Sequence, residues 1–480
     1  MQPPRDISAS EFRRHGHDVI DWIADYLENP EVWPVLPNVA PGDIRASLPP
    51  SAPENPEAMD AILADFRKVI VPATTHWNHP AFLAYFANSS TGAGVLGEAL
   101  AAALNVNAML WRTGPAETEL ELLTLDWLRQ MLGLPAGLLG IIGDTASSNT
   151  LYALAAAREM RPELAIRERG MSGRTDLPRI FFYCSEEAHS SVDKALMTLG
   201  FGLRSLRKIP TDSGLRMDAR ALAAAVEADK SAGAIPLAVV ATVGTTSTTA
   251  IDPVPAIADI CARENLWLHI DASYGGVAAI LPEMRHVLEG CDRADSLVVN
   301  PHKWLFTPMD CSALYTRRPD LLRRAFQHIP DYLVVSEGEG VVNLMDYGVA
   351  LGRRFRALKL WFVIRSFGVD GLRSLIREHM RIARSLANRI DADPELERMA
   401  DVNFSTVVFR HRPKGVKGPQ LDDHNSRLLE QLNLRREVYL SHTRVRGSYA
   451  LRIAIGNIHT TEAHVTRALD IVKATAQGLA

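Results

Sequence analysis

The strongest constraint on the fold is an alternation of two patterns between about residues 86 and 375. Short β-rich runs, such as 237–243 and 266–271, are separated by longer stretches rich in alanine and leucine. Strands that alternate with helices form a mostly parallel sheet with helices on both faces. We therefore predict an α/β domain over residues 86–375, with further strands at 179–183 and 296–300.

The two flanking regions differ from this alternation, and 480 residues are too many for one hydrophobic core. Residues 1–85 predict an N-terminal helical arm, in which a capping box at Ser8 opens one helix and a second begins near Pro56. Residues 376–480 predict a small α+β C-terminal domain. Because the amphipathic helices of the arm need another surface to cover them, we expect 1–85 to be a dimerisation segment.

The charge and the cysteines limit the possible partners. Lys+Arg is 52 and Asp+Glu is 56, a net charge of −4 that gives no electrostatic basis for binding nucleic acid. No apolar run reaches the ~18 residues that span a bilayer, so we expect no membrane partner. The N-terminus has no secretory pattern. The four cysteines lack zinc-ligand spacing, so we expect no metal site. We expect buried free thiols in a cytoplasmic protein rather than a disulfide framework.

The most informative motif follows the run at 296–300. Ligands of open α/β sheets bind beyond the carboxyl ends of the strands. There the chain reads Asn300-Pro301-His302-Lys303-Trp304. A lysine in such a turn is suited to form a Schiff base with pyridoxal 5′-phosphate (PLP), although a solvated lysine is the alternative.

Two other strand ends and one helix start carry groups that PLP would need. Asp271 could keep the pyridine nitrogen protonated, and His189 could stack on the ring or transfer protons. The small residues around Ala146 open an alanine-rich helix whose N-terminus could bind the phosphate. Each feature taken alone also has a structural explanation, as a helix cap or as a buried histidine.

These residues match a known family. The chain resembles the group II PLP-dependent decarboxylases, in particular the aromatic-L-amino-acid decarboxylases, from about Glu11 to Ala468. The matching runs are His76-Trp77, Ala84-Tyr85-Phe86, Thr118-Glu119-Leu120-Glu121, Ala188-His189-Ser190-Ser191-Val192, Gly244-Thr245-Thr246, Asn300-Pro301-His302-Lys303-Trp304 and Leu351-Gly352-Arg353-Arg354-Phe355-Arg356.

The resemblance implies a PLP-dependent transferase of fold type I, a homodimer with shared active sites whose small-molecule substrate is an amino acid that it decarboxylates. It implies that Lys303 binds the cofactor, Asp271 contacts the ring nitrogen, His189 stacks on the ring and Tyr332 in a mobile loop supplies a proton. The implied cofactor contacts are Thr145, Ala146, Ser147, His189, Thr246, Asp271, Asn300, His302 and Lys303. The implied substrate wall comprises Trp77, Tyr85, Phe86, Asn88, Met109 and Gly352.

Three departures from the family pattern bear on the cofactor and the substrate. The family's Asp-Ala-Ala is Asp271-Ala272-Ser273 here, Ala87-Asn88 replaces Pro-Thr, and Met109 stands in a segment that lacks the aromatic residue of animal enzymes. Aromatic amino acids are the expected substrates. The alternatives are histidine or an acidic amino acid, aldehyde formation on the same scaffold, and a non-catalytic PLP-binding protein.

Overall fold

The computed structural model describes residues 6–328 and 341–479. Its central sheet has seven strands in the order β1-β7-β6-β5-β4-β2-β3. Pairing is parallel from β6 through β5, β4 and β2 to β3, and β7 runs antiparallel to both of its neighbours. The strands are β1 Leu139–Gly143, β2 Ile180–Ser185, β3 Leu206–Ile209, β4 Ile235–Thr242, β5 Trp267–Asp271, β6 Ser296–Val299 and β7 Ser312–Thr316.

Helices connect and cover these strands, so the predicted α/β domain is confirmed. The described α-helices are α1 Ala9–Glu28, α2 Asp43–Ala46, α3 Met59–Asp65, α4 Gly92–Leu104, α5 Pro115–Leu132, α6 Ala146–Arg158, α7 Ile166–Arg169, α8 Ser191–Thr198, α9 Ala219–Ser231, α10 Val254–Glu264, α11 Pro301–Trp304, α12 Pro319–Phe326, α13 Arg356–Ala392, α14 Pro419–Leu434 and α15 Glu462–Gln477. The four strands predicted from the sequence match β2, β4, β5 and β6 with ends shifted by one or two residues.

The N-terminal arm contains both helices predicted from the sequence, α1 and α3, but the start of the second is displaced. Ser8 caps α1, and Glu11 completes the capping box. The prediction that a second helix begins near Pro56 is wrong, because α3 begins at Met59 without a side-chain cap. Met59 is the first residue of the apolar stripe, although no residue of α3 is buried in the single chain.

A second sheet of four antiparallel strands forms the C-terminal region in the order β10-β11-β9-β8. These strands are β8 Leu396–Arg398, β9 Thr406–His411, β10 Ser441–Val445 and β11 Ser448–Ala454. The N-terminal arm joins this region, since the Leu83 N–H donates to the Tyr439 carbonyl at 3.0 Å and the Leu83 carbonyl accepts from the Ala454 N–H at 2.9 Å. The domain boundaries predicted at residues 85 and 375 stay predictions. Helix α13 runs through residue 375, and its helical geometry is interrupted at Gly368.

Cys184, Cys261, Cys291 and Cys311 are buried free thiols, as the sequence predicts. Among residues 6–328 and 341–479, no helix is both long enough and apolar enough to cross a membrane.

A buried ion pair joins three parts of the large domain. Arg353 Nη2 lies 2.6 Å from Glu121 Oε1, and the two side chains are 8% and 2% exposed. Glu121 Oε1 also accepts from the Ile142 N–H at 2.8 Å, and Arg353 donates to the carbonyls of Ile142 at 3.0 Å and Leu344 at 3.1 Å. The pair therefore ties α5 to β1 and to the chain that follows residue 341.

We expect Glu121→Ala to lower the free energy of unfolding by about 3–5 kcal/mol, because it leaves the Arg353 guanidinium buried without its carboxylate. Denaturant unfolding followed by circular dichroism measures this loss. Asp126→Ala is the matched control on the same helix: its carboxylate is 50% exposed and pairs with Arg129, so its loss should be below about 1 kcal/mol. Equal losses in the two variants would contradict the prediction.

Candidate active site

A cavity of about 640 Å³ opens beyond the carboxyl ends of the parallel strands. This is where the topology of an open α/β sheet places a ligand. The structure brings together there most of the site residues predicted from the sequence. Those that line the cavity are Tyr85, Phe86, Asn88, Thr145, Ala146, Ser147, His189, Thr246, Asp271, Asn300, His302 and Lys303.

Lys303 lies in the four-residue helix α11, directly after β6. Its N–H donates to the Asn300 carbonyl at 3.0 Å, and its Nζ lies 5.2 Å from the centre of the Phe86 ring. Burial lowers the pKa of the Lys303 amine, although the negative charge of Asp271 opposes this effect. A lowered pKa increases the fraction of neutral amine, which is the nucleophilic form.

Asp271 is the last residue of β5 and is almost fully buried. Its Oδ1 accepts the Ser273 N–H at 3.1 Å and the Ser273 hydroxyl. The turn after β5 packs closely against Val243, the residue that follows β4. The distance leaves no room for a side chain at Gly275, where a Cβ atom would lie 2.6 Å from the Val243 carbonyl oxygen. This close approach brings Asp271 next to the loop that carries Thr246.

His189 lies in the loop between β2 and α8. Its Nδ1 accepts the Ser191 N–H at 3.1 Å, so a neutral ring carries its proton on Nε2. Burial lowers the pKa of His189; the charge of Asp271 opposes this shift and that of Lys303 adds to it. The imidazole is therefore neutral near pH 7 and can stack on an aromatic ring while offering a proton donor.

The N-terminus of α6 forms an anion site at one end of the cavity. Thr145 caps this 13-residue helix, and the free N–H groups of its first turn belong to Ala146 and Ser147. Helix N-termini bind phosphate through such groups and through the helix dipole.

Asn300 adds an oriented donor at the same cavity. Its Oδ1 accepts from the Ser312 hydroxyl at 2.5 Å, and that hydroxyl accepts from Asn149 Nδ2 at 2.8 Å. Because these two bonds fix the Asn300 amide oxygen as an acceptor, its amide nitrogen Nδ2 is left as a hydrogen-bond donor. His302 lies beside it with its Nδ1 accepting the Cys311 N–H at 3.0 Å, and burial lowers the pKa of His302 to about 4. His302 is therefore neutral.

Arg452 is a cavity residue that the sequence reasoning missed. It lies on β11, 3% exposed, with its guanidinium carbon 4.4 Å from the centre of the Phe86 ring. Its Nε donates to the Ser247 carbonyl at 3.2 Å and its Nη1 to that of Tyr85, but Nη2 has no partner among the described residues. Burial lowers its pKa to about 10. An arginine inside an apolar strand was the signal that could have identified it.

Three of the predicted substrate residues do not line this cavity. Trp77 packs against Phe82, with ring centres 4.2 Å apart. Met109 lies against Met345. Gly352 lies near Asn107, since a Cβ atom at position 352 would be 3.8 Å from the Asn107 side chain. Tyr332 lies outside the described residues. The roles of these four residues stay predictions.

The residues present fit PLP. One cavity holds a lysine amine with a lowered pKa, a buried carboxylate with one unpaired oxygen, a neutral imidazole and a helix N-terminus suited to a phosphate. The family model described as "Pyridoxal-dependent decarboxylase conserved domain" matches residues 41–412. The chain belongs to the pyridoxal-dependent decarboxylases.

Full-length relatives agree with this membership. "Tyrosine decarboxylase 4" of Petroselinum crispum is 39% identical over 491 residues, covering 99% of this chain and 95% of the relative. "Phenylacetaldehyde synthase" of a Rosa hybrid cultivar is 38% identical over 491 residues, covering 100% and 96%. The crystal structure of Oryza sativa TDC with PLP and tryptamine superposes with a TM-score of 0.94 at 38% identity, covering 99% and 100%. The fold is accordingly fold type I.

As a PLP-dependent decarboxylase, the chain divides the chemistry between cofactor and protein. Bound PLP supplies an electron sink for the pair released when a bond at the amino-acid Cα breaks. Lys303 would provide the amine that attaches the cofactor, Asp271 would hold the proton on its ring nitrogen, and His189 would hold a proton on Nε2 towards the bound group. These groups act inside a buried cavity, where electrostatic interactions are stronger than in water.

Lys303→Ala should abolish the visible absorption band of the bound cofactor and lower turnover about a thousandfold or more, because no other group then attaches PLP covalently. Absorption spectra and CO₂ release measure the two effects. Lys230→Ala is the control, since this amine is 46% exposed and pairs with Glu264 on the surface. A Lys303→Ala variant that keeps both band and activity would move the attachment to another lysine.

Proposed function

We propose that this enzyme decarboxylates aromatic L-amino acids to the corresponding arylalkylamines and CO₂. The observation that carries the proposal is the aromatic wall of the cavity. The Phe86 ring stacks on Tyr274 with ring centres 3.8 Å apart, and Tyr274 stacks in turn on Trp304 at 5.0 Å. Tyr85 continues the same wall. Aromatic rings favour stacked or edge-on contact with another aromatic ring.

The names of the relatives point in the same direction. They refer to a tyrosine decarboxylase, to phenylacetaldehyde formation and to a structure that contains tryptamine, the amine derived from tryptophan. Tyrosine, phenylacetaldehyde and tryptamine all carry an aromatic ring. Tryptophan, tyrosine, phenylalanine and DOPA are therefore all candidate substrates.

Arg452 offers a second feature that suits an amino-acid substrate. Its Nη2 is an unused donor on a buried cation at the cavity wall. A substrate carboxylate at this position would gain a charge-assisted hydrogen bond. The same guanidinium lies over Phe86, so the carboxylate and the aromatic wall would be fixed relative to each other.

Aldehyde formation is the second candidate function, because one relative is named a phenylacetaldehyde synthase. The family pattern links that reaction to loss of the loop tyrosine or of the stacking histidine. Tyr332 and His189 are both present in this sequence, which favours amine formation.

The substrate test is kcat/KM for tryptophan, tyrosine, phenylalanine, DOPA, histidine and glutamate, with products identified by mass spectrometry. We expect amines, and higher values for the four aromatic substrates. Burial of an aromatic side chain removes roughly 150–250 Å² from water, an upper bound of about 4–6 kcal/mol for selection. Glutamate would place a carboxylate against the apolar wall. A histidine or glutamate value above every aromatic one would refute the aromatic substrate, and an aldehyde with ammonia would favour the second candidate.

We propose further that the enzyme is a homodimer. Helix α4 presents Leu96, Leu100 and Leu104, spaced four residues apart, as an apolar stripe that is 50–59% exposed in the single chain. Val349 and Leu351 are exposed apolar residues of the segment that precedes α13. Exposed apolar residues clustered along one helix support contact with another protein surface.

Shared active sites would account for the predicted substrate residues outside the cavity. Met109 follows α4 closely in the chain, and Gly352 is next to Leu351. Both residues are therefore close to the apolar surface and could close the cavity of a second copy. We also propose a cytoplasmic location, which the four free thiols support.

The dimer is tested by sedimentation velocity over a concentration series. We expect a dimer for the unchanged chain and a shift towards monomer, with loss of activity, for Leu100→Asp. Leu203→Asp is the matched control, because Leu203 is 53% exposed in a turn far from α4 in sequence. A monomeric unchanged chain with full activity would refute the proposal.

A further inference from the structure

Ser273 makes a contact that the family pattern does not contain. The family carries alanine at this position, whereas here a hydroxyl donates to Asp271 Oδ1. The side chain is buried and lines the cavity next to that carboxylate. Its position puts a proton donor within reach of the group that would contact the cofactor ring.

The hydrogen bonds of Asp271 are unevenly divided between its two oxygens. Oδ1 accepts two donors from one residue, the Ser273 N–H at 3.1 Å and the Ser273 hydroxyl. Oδ2 has no hydrogen-bond partner in the described part of the chain. The carboxylate is therefore fixed through one oxygen, and the other remains for a ligand in the cavity.

Basic groups face Asp271 from several elements, and Arg452 of β11 lines the same cavity. His189, from the loop after β2, has a pKa lowered by burial, and so does Lys303 of α11. His269, on the same face of β5, has a pKa of about 4 because it is completely buried. The two Ser273 donors act on the carboxylate in addition to these groups, since a hydrogen bond to the charged form of an acid favours that form.

We propose that Ser273 is a positioning residue, which holds the Asp271 carboxylate through Oδ1 so that Oδ2 is directed at the ring nitrogen of PLP. The inference rests on PLP binding in this cavity and not on the identity of the substrate. Its consequence is that this chain keeps its ring-nitrogen contact at lower pH than the same chain with alanine at position 273.

The test compares Ser273→Ala and Ser273→Thr with the unchanged chain after reconstitution of the apoprotein with PLP. Three quantities are measured without substrate: the dissociation constant of PLP, the acid midpoint of its visible band, and the pH profile of the ¹⁵N chemical shift of its ring nitrogen. The ¹⁵N profile reports the contact with Asp271 directly, so a purely structural role of Ser273 would not change it.

For Ser273→Ala we expect PLP affinity to fall about tenfold and the acid midpoints to rise by about one pH unit. Loss of the donor removes one of the two hydrogen bonds that hold Oδ1, so the contact of the carboxylate with the ring nitrogen is lost at a higher pH. Ser273→Thr keeps a hydroxyl and should resemble the unchanged chain. Unchanged affinity and midpoints in the alanine variant would overturn the proposal, as would a threonine variant that behaves like alanine.

Because no amino acid is present in these measurements, the result is independent of the substrate panel. A failure here would leave the aromatic substrate untouched, and a different substrate would leave the Ser273 inference untouched. Thermal unfolding of the three apoproteins shows whether each variant is folded before PLP is added. If the three apoproteins have equal thermal unfolding midpoints, any change in the PLP measurements is due to the cofactor contact.

Discussion

Parallel pairing of β4, β5 and β6 is the constraint on which the active site depends. In this register Thr242 lies opposite Asp271, and Asp271 lies opposite Val298, two residues before Asn300. Three loops therefore leave the sheet at the same edge. As a result, three groups meet at this edge without any long-range adjustment of the backbone. They are the Asp271 carboxylate at the end of β5, Lys303 after β6 and the Thr246 loop after β4.

The sequence predicts those parts of the molecule that depend on local signals. Strands of the parallel sheet are apolar on both faces, so their runs are visible in the sequence, and Lys303, Asp271 and His189 each follow such a run. The capping box of α1 is equally local. The start of α3 was misplaced because no side-chain cap marks that boundary.

Other parts of the site depend on contacts between distant segments. Arg452 enters the cavity because β11 packs against residues near Tyr85, some 370 positions earlier in the chain, and no local pattern encodes that contact. The hydrogen bond from the Ser273 hydroxyl also needed the structure, although the serine itself was visible as a departure from the family. Met109 and Gly352 show a third limit, since the resemblance assigns them to the substrate wall but they do not line the cavity of the single chain.

The position of Arg452 has a consequence for the architecture of the whole chain. Its guanidinium bonds to the carbonyls of Tyr85, from the N-terminal arm, and Ser247, from the large domain, while its backbone belongs to the C-terminal sheet. All three regions of the chain thus meet at one side chain in the cavity wall. A shortened version that retains only the cofactor-binding sheet would lose this junction, so trimming either end is not a route to a minimal catalytic unit.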